Sequence, residues 1–313
     1  MITVFEKKCA VCGEKRSAKM KLQKCSRCNS VRYCGKECQK THWAIHKAVC
    51  KEIIERQQAI ADVARLNDLF DLAVDYIRAR DLRKFESLIN ENLDVLNHQV
   101  EEFNRNCLLH ACAEIGHKDI FKVLLDKQAD ANLQNVEGTT PLHVACYQNN
   151  KDIAKMLLDK QADVNIQDFK GDTGLFVACE NGHKDVIKIL LDRQADVNLQ
   201  NITGNLPLYV ACQAGYKDIV KMLLDKQAKV NLQNDKGVTP LFIACHREHT
   251  DIVRMLLDKK ADVNIQDDED FTPFFITCQM GHTDIVQMLM DENADINCMT
   301  TKGNTPLYIC VLC

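Results

Sequence analysis

The feature that most constrains this chain is a period of 33 residues running through its C-terminal two thirds. Gly138, Gly171, Gly204, Gly237 and Gly303 fall on it, and Asp270 fills the one missing glycine. Pro141, Pro207, Pro240, Pro273 and Pro306 follow the same period, with Gly174 in the remaining slot. Cys146, Cys179, Cys212, Cys245 and Cys278 do so as well. Between them recur the segments KDIAKMLLDKQADVN, KDVIKILLDRQADVN, KDIVKMLLDKQAKVN and TDIVRMLLDKKADVN. A fixed period of this length is the signature of stacked supersecondary units.

Each unit decomposes physically. Gly138 supplies a turn backbone that tolerates positive φ. Thr140 is placed to cap the next helix, with Pro141 in its first turn, where a missing N–H costs nothing. A short apolar helix over Leu142–Cys146 then stops near Asn149-Asn150. A second helix from Asp152 to about Lys160 sets Ile153, Met156 and Leu157 on one face. One such unit cannot bury its own apolar face, so neighbours must stack into an elongated helical array. The grid cysteines read as small hydrophobes packed between helices.

The N-terminal segment carries a different signal. It runs Cys9-x2-Cys12, Cys25-x2-Cys28, Cys34-x3-Cys38 and His46-x3-Cys50. Seven thiols and one imidazole fill two tetrahedral zinc sites with four protein ligands each. The CxxC pairs suit knuckle turns, and the x3 pairs suit single helical turns that present i and i+4 side chains together. With every position filled by protein, no place remains for an activated water, so two structural Zn²⁺ ions are expected. Spacing alone leaves sequential and interleaved pairing both open.

Two resemblances follow from these residues. The run Tyr33-Cys34-x3-Cys38-Gln39-x3-Trp43-x2-His46-x3-Cys50, preceded by two CxxC pairs, resembles the MYND zinc finger over residues 9–50. The resemblance implies interleaved sites: Cys9, Cys12, Cys34 and Cys38 on one zinc, and Cys25, Cys28, His46 and Cys50 on the other. It also implies a shallow groove for short, proline-rich peptides, with Gln39 and Trp43 as candidate groove residues; Trp43 serves equally well as core. The 33-residue unit resembles the ankyrin repeat, whose TPLH signature stands at Thr140-Pro141-Leu142-His143. Elsewhere Phe176, Tyr209, Phe242, Phe275 and Tyr308 replace the histidine, so aromatic packing is expected in place of its capping hydrogen bonds.

The implied fold is mainly α: a small zinc-stabilised finger over 1–50, then a helical linker and degenerate cap over 51–104. An ankyrin α-solenoid over 105–313 completes it, with six full or nearly full repeats and a truncated seventh. The first repeat is degenerate, with Cys107-Leu108-Leu109-His110 in place of TPLH. By resemblance, such arrays bind proteins at their turn tips and inner helix face. On this grid those positions include Val136, Glu137, Tyr147, Gln148, Phe169, Lys170, Ile202, Asp235, Val238, His246, Arg247, Phe271 and Met280, where apolar and aromatic side chains exceed what solvent contact needs.

Charge and motif content narrow the function. Residues 1–58 hold 14 Lys/Arg and 5 Asp/Glu, leaving 26 and 39 for the rest of the chain and giving +9 and −13. Two Zn²⁺ and seven thiolates reduce the finger to about +6. A basic finger allows an alternative role beside nucleic acid, as a transcriptional co-regulator. Aromatics for base stacking are few there, which disfavours direct nucleic-acid binding. No GxSxG, P-loop, HExxH or kinase signature occurs, so no catalytic centre or small-molecule substrate is expected. The N-terminus lacks a secretory pattern, and clustered CxxC pairs suit a reducing compartment. The expectation is a cytoplasmic protein–protein adaptor with entry to the nucleus open to it.

At the C-terminus, Cys310-Val311-Leu312-Cys313 fits the prenylation pattern C-a-a-X. Val311 nevertheless falls in the grid slot of Cys278, and cysteine is not a usual final residue of that pattern. Stable anchoring needs a second signal, and Asp295 to Ile309 offers only Lys302 as a base. No membrane attachment is expected.

Overall fold

The computed structural model describes residues 23–24, 32–33, 36–301 and 303–306. It divides into two compact units, Met1–Leu69 and Phe70–Cys313. In the first, β1 (Gln23–Lys24) pairs antiparallel with β2 (Arg32–Tyr33). Helix α1 (Lys36–Ala79), 44 residues long, begins in this unit and ends in the second. Among the described residues no helix is long and apolar enough to cross a membrane.

The second unit is helical. After α1 come α2 (Leu82–Glu91), α3 (Leu108–Ile115), α4 (Lys118–Asp126), α5 (Pro141–Tyr147) and α6 (Lys151–Asp159). They are followed by α7 (Gly174–Glu180), α8 (Lys184–Asp192), α9 (Pro207–Ala214) and α10 (Lys217–Asp225). The last four are α11 (Pro240–His246), α12 (Thr250–Asp258), α13 (Pro273–Met280) and α14 (Thr283–Asp291). From α3 onward, odd-numbered helices pack on odd-numbered neighbours and even on even, so each pair touches only the pairs beside it. The helices expected over 142–146 and from 152 to about 160 run from Pro141 to Tyr147 and from Lys151 to Asp159.

The recurring sequence dictates the packing. In α6 the buried side chains are Ile153, Ala154, Leu157 and Leu158, two adjacent pairs one turn apart. The same four places in α8, α10 and α12 are buried branched or leucine side chains. Cys146, Cys179, Cys212 and Cys245 are fully buried thiols between successive first helices. Burial pushes the Cys245 thiol up to about 12, so a thiolate is not accessible there.

Polar ladders fix the spacing between units. The side-chain oxygen of Asn132 accepts from the Asp163 amide at 2.9 Å, and Asn165 accepts from Asp196 at the same distance. Asn198, Asn231 and Asn264 repeat the bond toward the C-terminus. Gln134, Gln167, Gln200 and Gln233 each donate across to the carbonyl of the next glutamine on the grid. Each bond satisfies a backbone group that a loop would otherwise leave without a partner. The turn glycines are required: Gly171 sits at φ +75°, and a Cβ there would meet the Asn201 backbone at 2.8 Å. Asp270 holds the same left-handed conformation, φ 62°, in the slot where its neighbours have glycine.

Candidate metal-binding segment and interaction surfaces

Gln23 pairs with Tyr33 and Lys24 with Arg32, and the second CxxC pair falls between these two strands in sequence. Cys34 follows β2 directly in sequence. Cys9, Cys12, Cys25, Cys28 and Cys34 themselves lie outside the described residues. Cys38, Gln39, Trp43 and His46 fall on the backbone of α1, their side chains outside the description. At about 100° per residue, the α1 positions 38, 46 and 50 fall within an arc of about 120°. Cys50 is 2% exposed. A set of thiols and one imidazole is the donor chemistry of structural zinc, so the residue types of this segment fit that metal.

The turn tips of the array are closed by their own hydrogen bonds. Asp168 accepts from the backbone amides of Lys170 and Asp172, both at 2.9 Å, closing the turn on itself. Asn135, Asn201, Asn234 and Asp267 close theirs in the same way. Successive tips are also tied together: the Phe169 amide donates to the Glu137 carbonyl, and Ile202 to Lys170, each at 2.9 Å. The Phe169 and Ile202 side chains are nonetheless 69% and 65% exposed. A fixed backbone holding an exposed apolar side chain loses little entropy on binding.

The inner face is less uniform than the sequence suggests. Tyr147, Arg247 and Met280 are exposed, whereas Val238, His246 and Phe271 are half-buried. Phe271 leans on Phe275, ring centroids 4.9 Å apart. Between the turns and first helices of the first three helix pairs lies a groove of about 450 Å³. Val144, Tyr147 and Val177 line it, as do five carboxylates, those of Glu114, Glu137, Asp168, Asp172 and Glu180. Asp172 is held above the usual carboxylate range by burial, with Asp168 and Glu180 adding repulsion against a hydrogen bond from Asn201. Sequence reasoning singled out only Glu137 and Tyr147 of these. A signal was present, since Asp172 is the one carboxylate at a grid place held elsewhere by Asn106, Thr139, Asn205, Val238, Phe271 and Asn304.

Comparison with known proteins matches both parts of the chain. The family model described as ankyrin repeats matches residues 72–168, 165–234, 227–300 and 259–313. The model of the MYND finger matches residues 9–50. SET domain-containing protein 14 of Caenorhabditis elegans is 36% identical over 55 residues, 18% of this chain and 13% of that protein. SET domain and MYND-type zinc finger protein 6 of Schizosaccharomyces pombe is 40% identical over 50 residues, 16% of this chain and 10% of that protein. The chain thus spans about a tenth of the curated relatives it matches, in the finger region alone. Finger and repeats are both typical protein–protein interaction modules. With repeats matched from residue 72 to residue 313 and a MYND finger before them, the chain belongs to the ankyrin-repeat family.

Proposed function

We propose that this chain is a two-module adaptor without catalytic activity. The finger, residues 1–50, engages short peptides, proline-rich ones included, through Gln39 and Trp43. The array, residues 105–313, engages a second protein, and residues 51–104 join and cap the two. Tyr147, Phe169, Ile202, Val238, His246, Arg247, Phe271 and Met280 form the array's contact surface. The observation that carries the reading is the row of exposed apolar side chains on self-closed turns. Phe169 and Ile202 stand largely in water, and their backbones are already held by hydrogen bonds for a partner. The absence of catalytic motifs from the sequence, and relatives with SET names that match the finger alone, favour binding over catalysis. The adaptor works in the cytoplasm and is open to the nucleus.

The finger holds two structural zinc ions, Cys9, Cys12, Cys34 and Cys38 on one and Cys25, Cys28, His46 and Cys50 on the other. A segment this small has little apolar interior, and coordination supplies roughly 10–16 kcal/mol of folding free energy per ion. Elemental analysis of chelator-free protein returns two zincs per chain; one or none removes this assignment. Cys34→Ser unfolds the finger and leaves the array's helical signal in place. Affinity capture by the full chain tests the adaptor role: Phe169→Ala/Ile202→Ala loses one class of partner, and Trp43→Ala loses another. Unchanged capture by both variants overturns the reading.

A further inference from the structure

The array's charges divide into two populations. Along the starts of the second helices, each leading lysine reaches the aspartate of the next unit. Lys151 pairs with Asp185 at 3.4 Å, Lys184 with Asp218 at 2.6 Å and Lys217 with Asp251 at 2.7 Å, while Lys118 joins Asp152. Lys160–Asp126 and Arg193–Asp159 tie the far ends of the same helices. These pairs neutralise the scaffold's own surface.

The groove of the first three helix pairs differs. Among the described residues, Glu114, Glu137, Asp168, Asp172 and Glu180 make no ion pair, and Lys170 is the one lysine or arginine among the lining residues. Five carboxylates therefore face one ammonium in a recess whose walls exclude part of the solvent. Such a recess focuses a negative field that a cationic ligand relieves. The floor is not simply acidic, for Val144 and Val177 line it, and Tyr147, 61% exposed, offers an aromatic face. A guanidinium or ammonium stacks on such a face while carboxylates around it accept its hydrogen bonds.

We propose that this groove docks an extended peptide segment carrying arginine or lysine side chains, which lie against Tyr147 and between the carboxylates. The proposal deepens the adaptor reading and rests on it, since it names the partner chemistry of the array's N-terminal half. The same field repels phosphates, so nucleic acid is excluded from this groove.

The test uses the zinc-loaded full chain and two labelled peptides, one of alternating arginine and glycine and one with glutamate for arginine. The arginine peptide binds, salt weakens it, and the glutamate peptide does not bind. Glu114→Gln/Glu137→Gln/Glu180→Gln, three exposed positions, weakens binding by about tenfold or more. The control Asp192→Asn/Asp225→Asn/Asp258→Asn removes as much charge from the far ends of the second helices and changes affinity by less than about twofold. Equal loss in the two triple variants, or equal binding of the two peptides, overturns the groove assignment. If the arginine peptide fails while capture still depends on Phe169 and Ile202, the groove proposal falls and the adaptor reading stands.

Discussion

His143 is buried with both ring nitrogens engaged. The Thr140 amide donates to Nδ1 at 3.2 Å, and Nε2 lies 2.9 Å from the Asp172 carbonyl, which can only accept. The proton therefore sits on Nε2, and a second on Nδ1 would oppose the Thr140 N–H. His110 repeats the arrangement between Cys107 and the Thr139 carbonyl. Burial lowers the pKa of both imidazoles, His110 to about 4. An unfolded imidazole titrates near 6.5. Between these values the unfolded chain binds a proton that the folded chain refuses. Their contribution to stability is therefore full above about pH 6.5 and declines as pH falls, and that of His110, about 3 kcal/mol, is fully lost below about pH 4. Urea denaturation across this range shows that slope, and His110→Phe, the aromatic type found at Phe176 and Phe242, flattens it. An unchanged slope would count against the neutral tautomer. The capping role of His143 was legible because TPLH is intact. That of His110 was hidden, because a cysteine replaces the threonine; Cys107 Sγ nonetheless lies 3.1 Å from His110 Nδ1. Where phenylalanine replaces histidine, Thr173, Thr239 and Thr272 still accept from the N3 amide and the ring is buried.

At the scale of elements, the second helices of the array, α4, α6, α8, α10, α12 and α14, depend on their neighbours, since each is only nine residues long. Helices this short are unstable alone in water, so burial of their leucines must hold them. Leu157→Ala or Leu190→Ala costs about 2–5 kcal/mol, as for other fully buried leucines. Far-UV circular dichroism still registers most of the helix, because each pair rests only on its neighbours. Complete loss of the helical signal from one such change would refute nearest-neighbour stability. The helix pairs were readable because the 33-residue period states the same amphipathic pattern repeatedly. Helix α1 was not read as one element, since its start carries metal-ligand spacing and its later part an apolar pattern without a repeat. Each signal suggested a separate segment, yet the chain makes one 44-residue helix.

For the whole molecule, what the sequence hid is what several repeats build jointly. The groove takes carboxylates from Glu114 to Glu180, and no single repeat announces it; the outer ion-pair ladder likewise exists only once units are stacked. Stacking also predicts where the array is weakest. Leu158, Leu191, Leu224 and Leu257 are 5–7% exposed, each covered by the next unit, whereas Met290 at the same place in α14 is 45% exposed. Ile296, at the place of Val263, is exposed as well. With less apolar surface removed from water, α14 opens at lower free energy than the interior helices. Native-state hydrogen exchange on the full chain reads this directly. Amides of α8 and α10 exchange only with opening of several units, while those of α14 exchange through a local opening that leaves α8 protected. The two sets converge only if the array unfolds in a single step, and equal protection of α14 and α8 would show that the exposed Met290 face costs α14 nothing.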